Sequence, residues 1–128
     1  MNKNIKKRSL LLGIGNNSQI KRYYDAWAND YDFDTVFERQ IEAHAISGGV
    51  CWGISTSGNS KNIVKAFKAA QNLEMKTIGL TGKGGGMMKK YSDILIDVPS
   101  KSTPRIQELH LPIYHYICEK VEQYKNLK

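Results

Sequence analysis

A chain of 128 residues with 41% hydrophobic and 24% charged side chains is sized for one globular domain with a single core. No apolar run approaches the roughly 18–20 residues of a membrane span, so a membrane partner is not expected. The net charge of +7 raises nucleic-acid binding, but its distribution argues against that partner. Lys3, Lys6, Lys7 and Arg8 form a basic lead, Lys61, Lys65 and Lys68 recur at helical spacing, and no aromatic residues interleave as a stacking platform. A solvated face, or attraction of a small phosphorylated anion, accounts better for the charge.

Residues 1–8 read as a flexible basic lead. With the short run behind them they look like a signal peptide only superficially, because the run is too short and no small-residue cleavage site follows. "LLLGIG" (10–15) is the first strand. Ser18 can cap a helix through "QIKRYYDAWAND", and Asp32 or Asp34 can cap a second, "TVFERQIEAHAI", with Val36, Phe37, Ile41 and Ala45 as its apolar stripe. "VCWGIS" (50–55) is the next strand, and Ser60 leads into "KNIVKAFKAAQNL". "KTIGLTG" (76–82) follows, then the glycine turn "KGGG", a short helix near Met87–Tyr91, and the strand "DILIDVP" (93–99). The last helix begins near Thr103 with Pro104 in its first turn and runs to about Tyr124. Cys51 and Cys118 give neither metal spacing nor a disulfide framework and read as buried free thiols of a cytoplasmic protein.

Strands alternating with helices, and nearly continuously apolar, predict a parallel sheet covered on both faces. The fold class is α/β, a three-layer α/β/α sandwich forming one domain over 1–128. Ligands of such sheets bind at the carboxyl ends of the strands, where the following helix presents free N–H groups. Ser55, Thr56, Ser57 and Ser60 crowd at that place, with Gly58 allowing close backbone approach, and the loop suits a phosphate dianion. The patterns GxxxxGK[ST] and GxGxxG are absent, so a phosphomonoester on a small sugar fits better than a nucleotide. A Ser/Thr-rich helix cap with nothing bound is the plainer alternative. In "AWANDYDF", Asn29 and Asp30 either close a helix or face the same sheet end. In "RIQELHLPIYH", Gln107, Leu111 and His115 share one helical row with His110 between them. Gln107 and His115 could hold a metal or handle a proton, or be polar residues with local partners.

Four stretches together resemble the sugar isomerase (SIS) domain family, and within it the phosphoheptose isomerases: "NDYDFDTVFERQIEA", "WGISTSGNSKNIVKA", "IGLTGKGGGMM" and "RIQELHLPIYH". The resemblance covers roughly residues 8–124. It implies a Rossmann-like, flavodoxin-like SIS fold and interconversion of sedoheptulose 7-phosphate with D-glycero-D-manno-heptose 7-phosphate, toward bacterial heptoses of lipopolysaccharide and other surface polysaccharides. By resemblance Ser55, Thr56, Ser57 and Ser60 would hold the sugar phosphate, and Asn29, Asp30 and Gln107 would contact substrate. Gln107 and His115 would ligate zinc, His115 would serve as acid/base, and the assembly would be a homotetramer.

The chain departs from the family pattern in lacking an N-terminal pair of helices with a Gly-Asn-Gly-Gly-Ser loop and a His-x-x-x-Glu helix. Those would supply two more zinc ligands and the glutamate base. Asp30, Glu38 and Glu42 are the carboxylates that could substitute, although surface ion pairing also explains both glutamates. Pro112 is expected to interrupt the helix between Gln107 and His115. Without the base, a second reading is a non-catalytic SIS module that binds a phosphosugar or a protein partner, as the DnaA initiator-associating proteins of this family do.

Overall fold

The computed structural model describes residues 9–12, 26–27 and 29–126. Four parallel strands, β1 (Ser9–Leu12), β2 (Val50–Ser55), β3 (Lys76–Thr81) and β4 (Ile94–Asp97), form one sheet in the order β1-β2-β3-β4. The helices are α1 (Val36–His44), α2 (Lys61–Asn72), α3 (Met88–Tyr91) and α4 (Thr103–Asn126). The α/β class and parallel sheet follow the sequence expectation. The basic lead, residues 13–15 of the first expected strand and most of the expected helix from Ser18 lie outside the described residues. Of that helix, residues 26, 27, 29 and 30 are helical.

Consecutive parallel strands joined by right-handed crossovers carry their connections on one face. Here α1, α2 and α3 share a core. Val36, Phe37 and Ile41 of α1 meet Ile63, Val64, Phe67 and Ala70 of α2, with Cys51 and Met88. In β2 the buried Cys51, Gly53 and Ser55 alternate with half-buried Val50, Trp52 and Ile54. A methyl group at Gly53 would come within 2.5 Å of the Phe67 ring, so glycine is what lets α2 lie directly on β2. On the other face Leu80 is fully buried, but Trp52 and Ile78 are only half-covered among the described residues and Ile94 is 55% exposed.

Local chemistry explains the element starts. Asp32 Oδ1 accepts from Asp34 N at 3.0 Å and opens a 3-10 turn, Phe33–Thr35, that runs into α1. The expected cap is therefore Asp32, one turn earlier than the α-helix proper. Two expectations are corrected. Cys118 is exposed, because α4 buries only Ile106 and His110 and its later turns stand clear of the sheet. The helix α4 also continues through Pro112. Proline removes one intrahelical hydrogen bond there without ending the helix.

Candidate functional site

At the carboxyl end of β2 the chain turns sharply through Ser55–Ser60 before α2 begins. Ser55 is buried, and its Oγ shares a hydrogen bond of 2.7 Å with Ser60 Oγ and accepts from Gly58 N at 3.2 Å. Ser57 Oγ accepts from Asn59 N at 3.1 Å. Ser60 stands at the N-cap position, yet its hydroxyl makes no capping bond to the helix. A helix start leaves its first N–H groups without intrahelical partners. Asn62 Oδ1 takes that of Ile63 at 2.8 Å and the Ser60 carbonyl that of Val64 at 3.0 Å. The N–H groups of Lys61 and Asn62 are the ones left for an anion beside the hydroxyls.

The glycine turn after β3 clamps this loop. Gly82 N donates to the Thr56 carbonyl at 3.0 Å, Met88 N to the Gly58 carbonyl at 2.9 Å, and Met87 N to Asn59 Oδ1 at 2.9 Å. Gly58 has a φ of +68°, and a methyl group on it would run into the Gly85 carbonyl. The close approach expected of Gly58 is therefore made to the neighbouring turn. Sequence reasoning missed Asn59 as the side chain that joins the two loops. An Asn after a glycine, in a loop facing another glycine run, was the available signal.

Segment 31–35 lies against the start of α2. Lys61 Nζ reaches Asp34 Oδ2 at 3.9 Å and Lys65 Nζ reaches Asp32 Oδ2 at 3.5 Å. A cavity of about 310 Å³ opens between them, lined by Phe33, Asp34, Phe37, Ile54, Ser60 and Asn62 among others. A larger groove of about 400 Å³ lies around Trp27, Arg39 and Glu42 and includes no serine-loop residue. Asn29 and Asp30 are exposed just ahead of segment 31–35. Arg39 pairs with Glu42 at 3.4 Å, the surface role expected of that glutamate.

Gln107 and His115 are both exposed on α4, whereas His110 is 3% exposed and its Nε2 lies 3.0 Å from the Thr81 carbonyl. The core histidine of this helix is thus His110. No group of three or more His, Cys, Asp or Glu stands together among the described residues. Gln107 and His115 would give zinc one amide oxygen and one imidazole, half of a tetrahedral set. The described donors do not fit a zinc site on their own.

The SIS domain family model matches residues 8–82, a span that includes the hydroxyl-rich loop between β2 and α2. The chain is 53% identical over 97 residues to a phosphoheptose isomerase of Crocosphaera subtropica, covering 76% of this chain and 50% of the relative. It is 48% identical over 118 residues to that of Helicobacter pylori, covering 92% of this chain and 61% of the relative. Phosphoheptose isomerase GmhA from Neisseria gonorrhoeae superposes with a TM-score of 0.81 at 34% identity, over 89% of this chain and 76% of that one. The chain belongs to the phosphoheptose isomerases of the SIS domain family. It spans about half the length of the curated relatives it matches.

Proposed function

We propose that the chain forms the phosphosugar-holding part of an aldose–ketose isomerase that interconverts sedoheptulose 7-phosphate and D-glycero-D-manno-heptose 7-phosphate in the cytoplasm. The observation that carries this reading is the serine loop. Ser55 and Ser60 hydroxyls stand 2.7 Å apart at the start of α2, and Ser60 is not engaged in capping that helix. Ser55, Thr56, Ser57 and Ser60 with the first amides of α2 bind the phosphate. Asn29, Asp30 and Gln107 contact the sugar, and His115 moves a proton between the neighbouring carbons as the carbonyl passes through an enediol. The phosphate grip, remote from those carbons, supplies binding energy and orientation. The chain works as a homo-oligomer.

Calorimetric titration with sedoheptulose 7-phosphate tests the loop. Ser55→Ala with Ser60→Ala should abolish phosphosugar binding while the circular dichroism spectrum stays unchanged. Undiminished affinity in that variant would refute the assignment. The second reading, a non-catalytic module, is favoured by the two-donor metal set. It predicts phosphosugar binding with no turnover when zinc is supplied.

A further inference from the structure

We infer that His110 is a positioning residue, fixing the roll of α4, and with it the directions of Gln107 and His115, relative to the serine loop through a single shared peptide group. The inference deepens the site reading proposed above and rests on it. His110 Nε2 lies 3.0 Å from the Thr81 carbonyl. A carbonyl only accepts, so Nε2 carries the proton. The N–H of Gly82 donates to the Thr56 carbonyl at 3.0 Å. The Thr81 C=O and the Gly82 N–H belong to one planar peptide unit, and in a trans peptide they point to opposite sides. That one group therefore accepts from α4 on one side and donates to the serine loop on the other, and each bond polarises the next.

The helix has little else to fix its roll. Its two buried residues, Ile106 and His110, lie one turn apart on a single ridge, and Ile106 packs where a side chain on Gly82 would stand. One apolar ridge tolerates rotation about the helix axis, whereas a directional hydrogen bond does not. Gln107 follows Ile106 by about 100° around the helix. With side-chain tips about 5–6 Å from the axis, a roll of about 20° displaces them by roughly 2 Å, and a misplacement of about 1 Å can cost 10²-fold in rate. The Thr81 carbonyl also accepts from Val98 N at 3.0 Å. Removing the imidazole leaves no orphaned acceptor in the sheet, so the loss falls on orientation more than on folding.

The test compares His110→Leu, which fills the space without a donor, with His110→Gln, which keeps an N–H. Amide hydrogen exchange and calorimetry with inorganic phosphate and with sedoheptulose 7-phosphate are read on the full chain. In His110→Leu the Gly82 amide should exchange at least tenfold faster while amides in β2 and α2 hold. Inorganic phosphate affinity should stay within threefold and sedoheptulose 7-phosphate affinity should fall at least tenfold. His110→Gln should restore both. Uniformly faster exchange with equal loss of both ligands would overturn the inference in favour of a merely structural histidine. So would an unchanged Gly82 amide with unchanged sugar affinity. If the parent chain binds neither ligand, the functional reading fails, while a selective Gly82 effect still supports the coupling and its absence overturns it.

Discussion

Gly58 carries two constraints at once: a left-handed backbone, φ +68°, and a face pressed on the Gly85 carbonyl. Gly58→Ala should destabilise the domain by about 2–3 kcal/mol, since a non-glycine residue held in that region costs about 1–3 kcal/mol before any clash is relieved. Urea unfolding measures it, and a loss below about 0.5 kcal/mol would mean that the two loops separate easily. The crowding of hydroxyls was legible in "STSGNS" because a simple turn needs only one or two such residues. The partner of Gly58 was not, because Gly85 lies 27 residues on and only the β2–β3 register brings it near. The cysteines make a second contrast. Burial pushes the Cys51 thiol up to about 12, so it is unreactive at neutral pH. A disulfide reagent should label one thiol per native chain, at Cys118, and the second only in denaturant. Two fast equivalents would contradict the burial of Cys51.

Among the elements, the start of β4 is locked to the start of β3 by a reciprocal pair. Thr77 N donates to Asp93 Oδ2 at 2.8 Å and Asp93 N donates to Thr77 Oγ1 at 3.0 Å, while the Thr77 hydroxyl proton points to the Tyr91 carbonyl at 2.7 Å. The Thr77 backbone donor, with Lys76 nearby, holds the Asp93 carboxyl below its ordinary 3.8. The unfolded chain takes up the proton first, so this stabilisation is complete above the unfolded value of about 3.9 and is lost as pH falls through the lower folded one. Asp93→Ala should cost about 1–2 kcal/mol at neutral pH through the lost hydrogen bonds. Its deficit against the parent should shrink as acid denaturation is followed from about pH 5 to 3; a constant deficit would show that the carboxylate charge contributes nothing. Strand and helix positions were readable here because apolar runs end at turn residues: β2 matches "VCWGIS" residue for residue. The helix α4 was harder. Its apolar residues continue past the part that touches the sheet, so periodicity alone assigned Cys118 to a core that ends near His110.

For the whole molecule, exposed apolar side chains concentrate on α4. At 1.5 Å per residue the 24 residues of α4 reach about 36 Å, and Leu111, Tyr116 and Val121 are 47%, 60% and 61% exposed along it. Such a surface on a 14.5 kDa chain favours association, and the net charge of +7 opposes it through self-repulsion. The two forces separate by salt, because screening weakens repulsion and leaves apolar burial intact. Sedimentation at tens of micromolar should therefore give a mass above 14.5 kDa that grows as sodium chloride rises from about 0.05 to 0.5 M, where the Debye length shortens to a few ångströms. Tyr116→Asp with Val121→Asp should return the chain to monomer with unchanged helix content. A single monomeric species at every concentration and salt would remove α4 as an interface. Association that weakened with salt would instead assign the contact to ion pairs such as those its lysines can make.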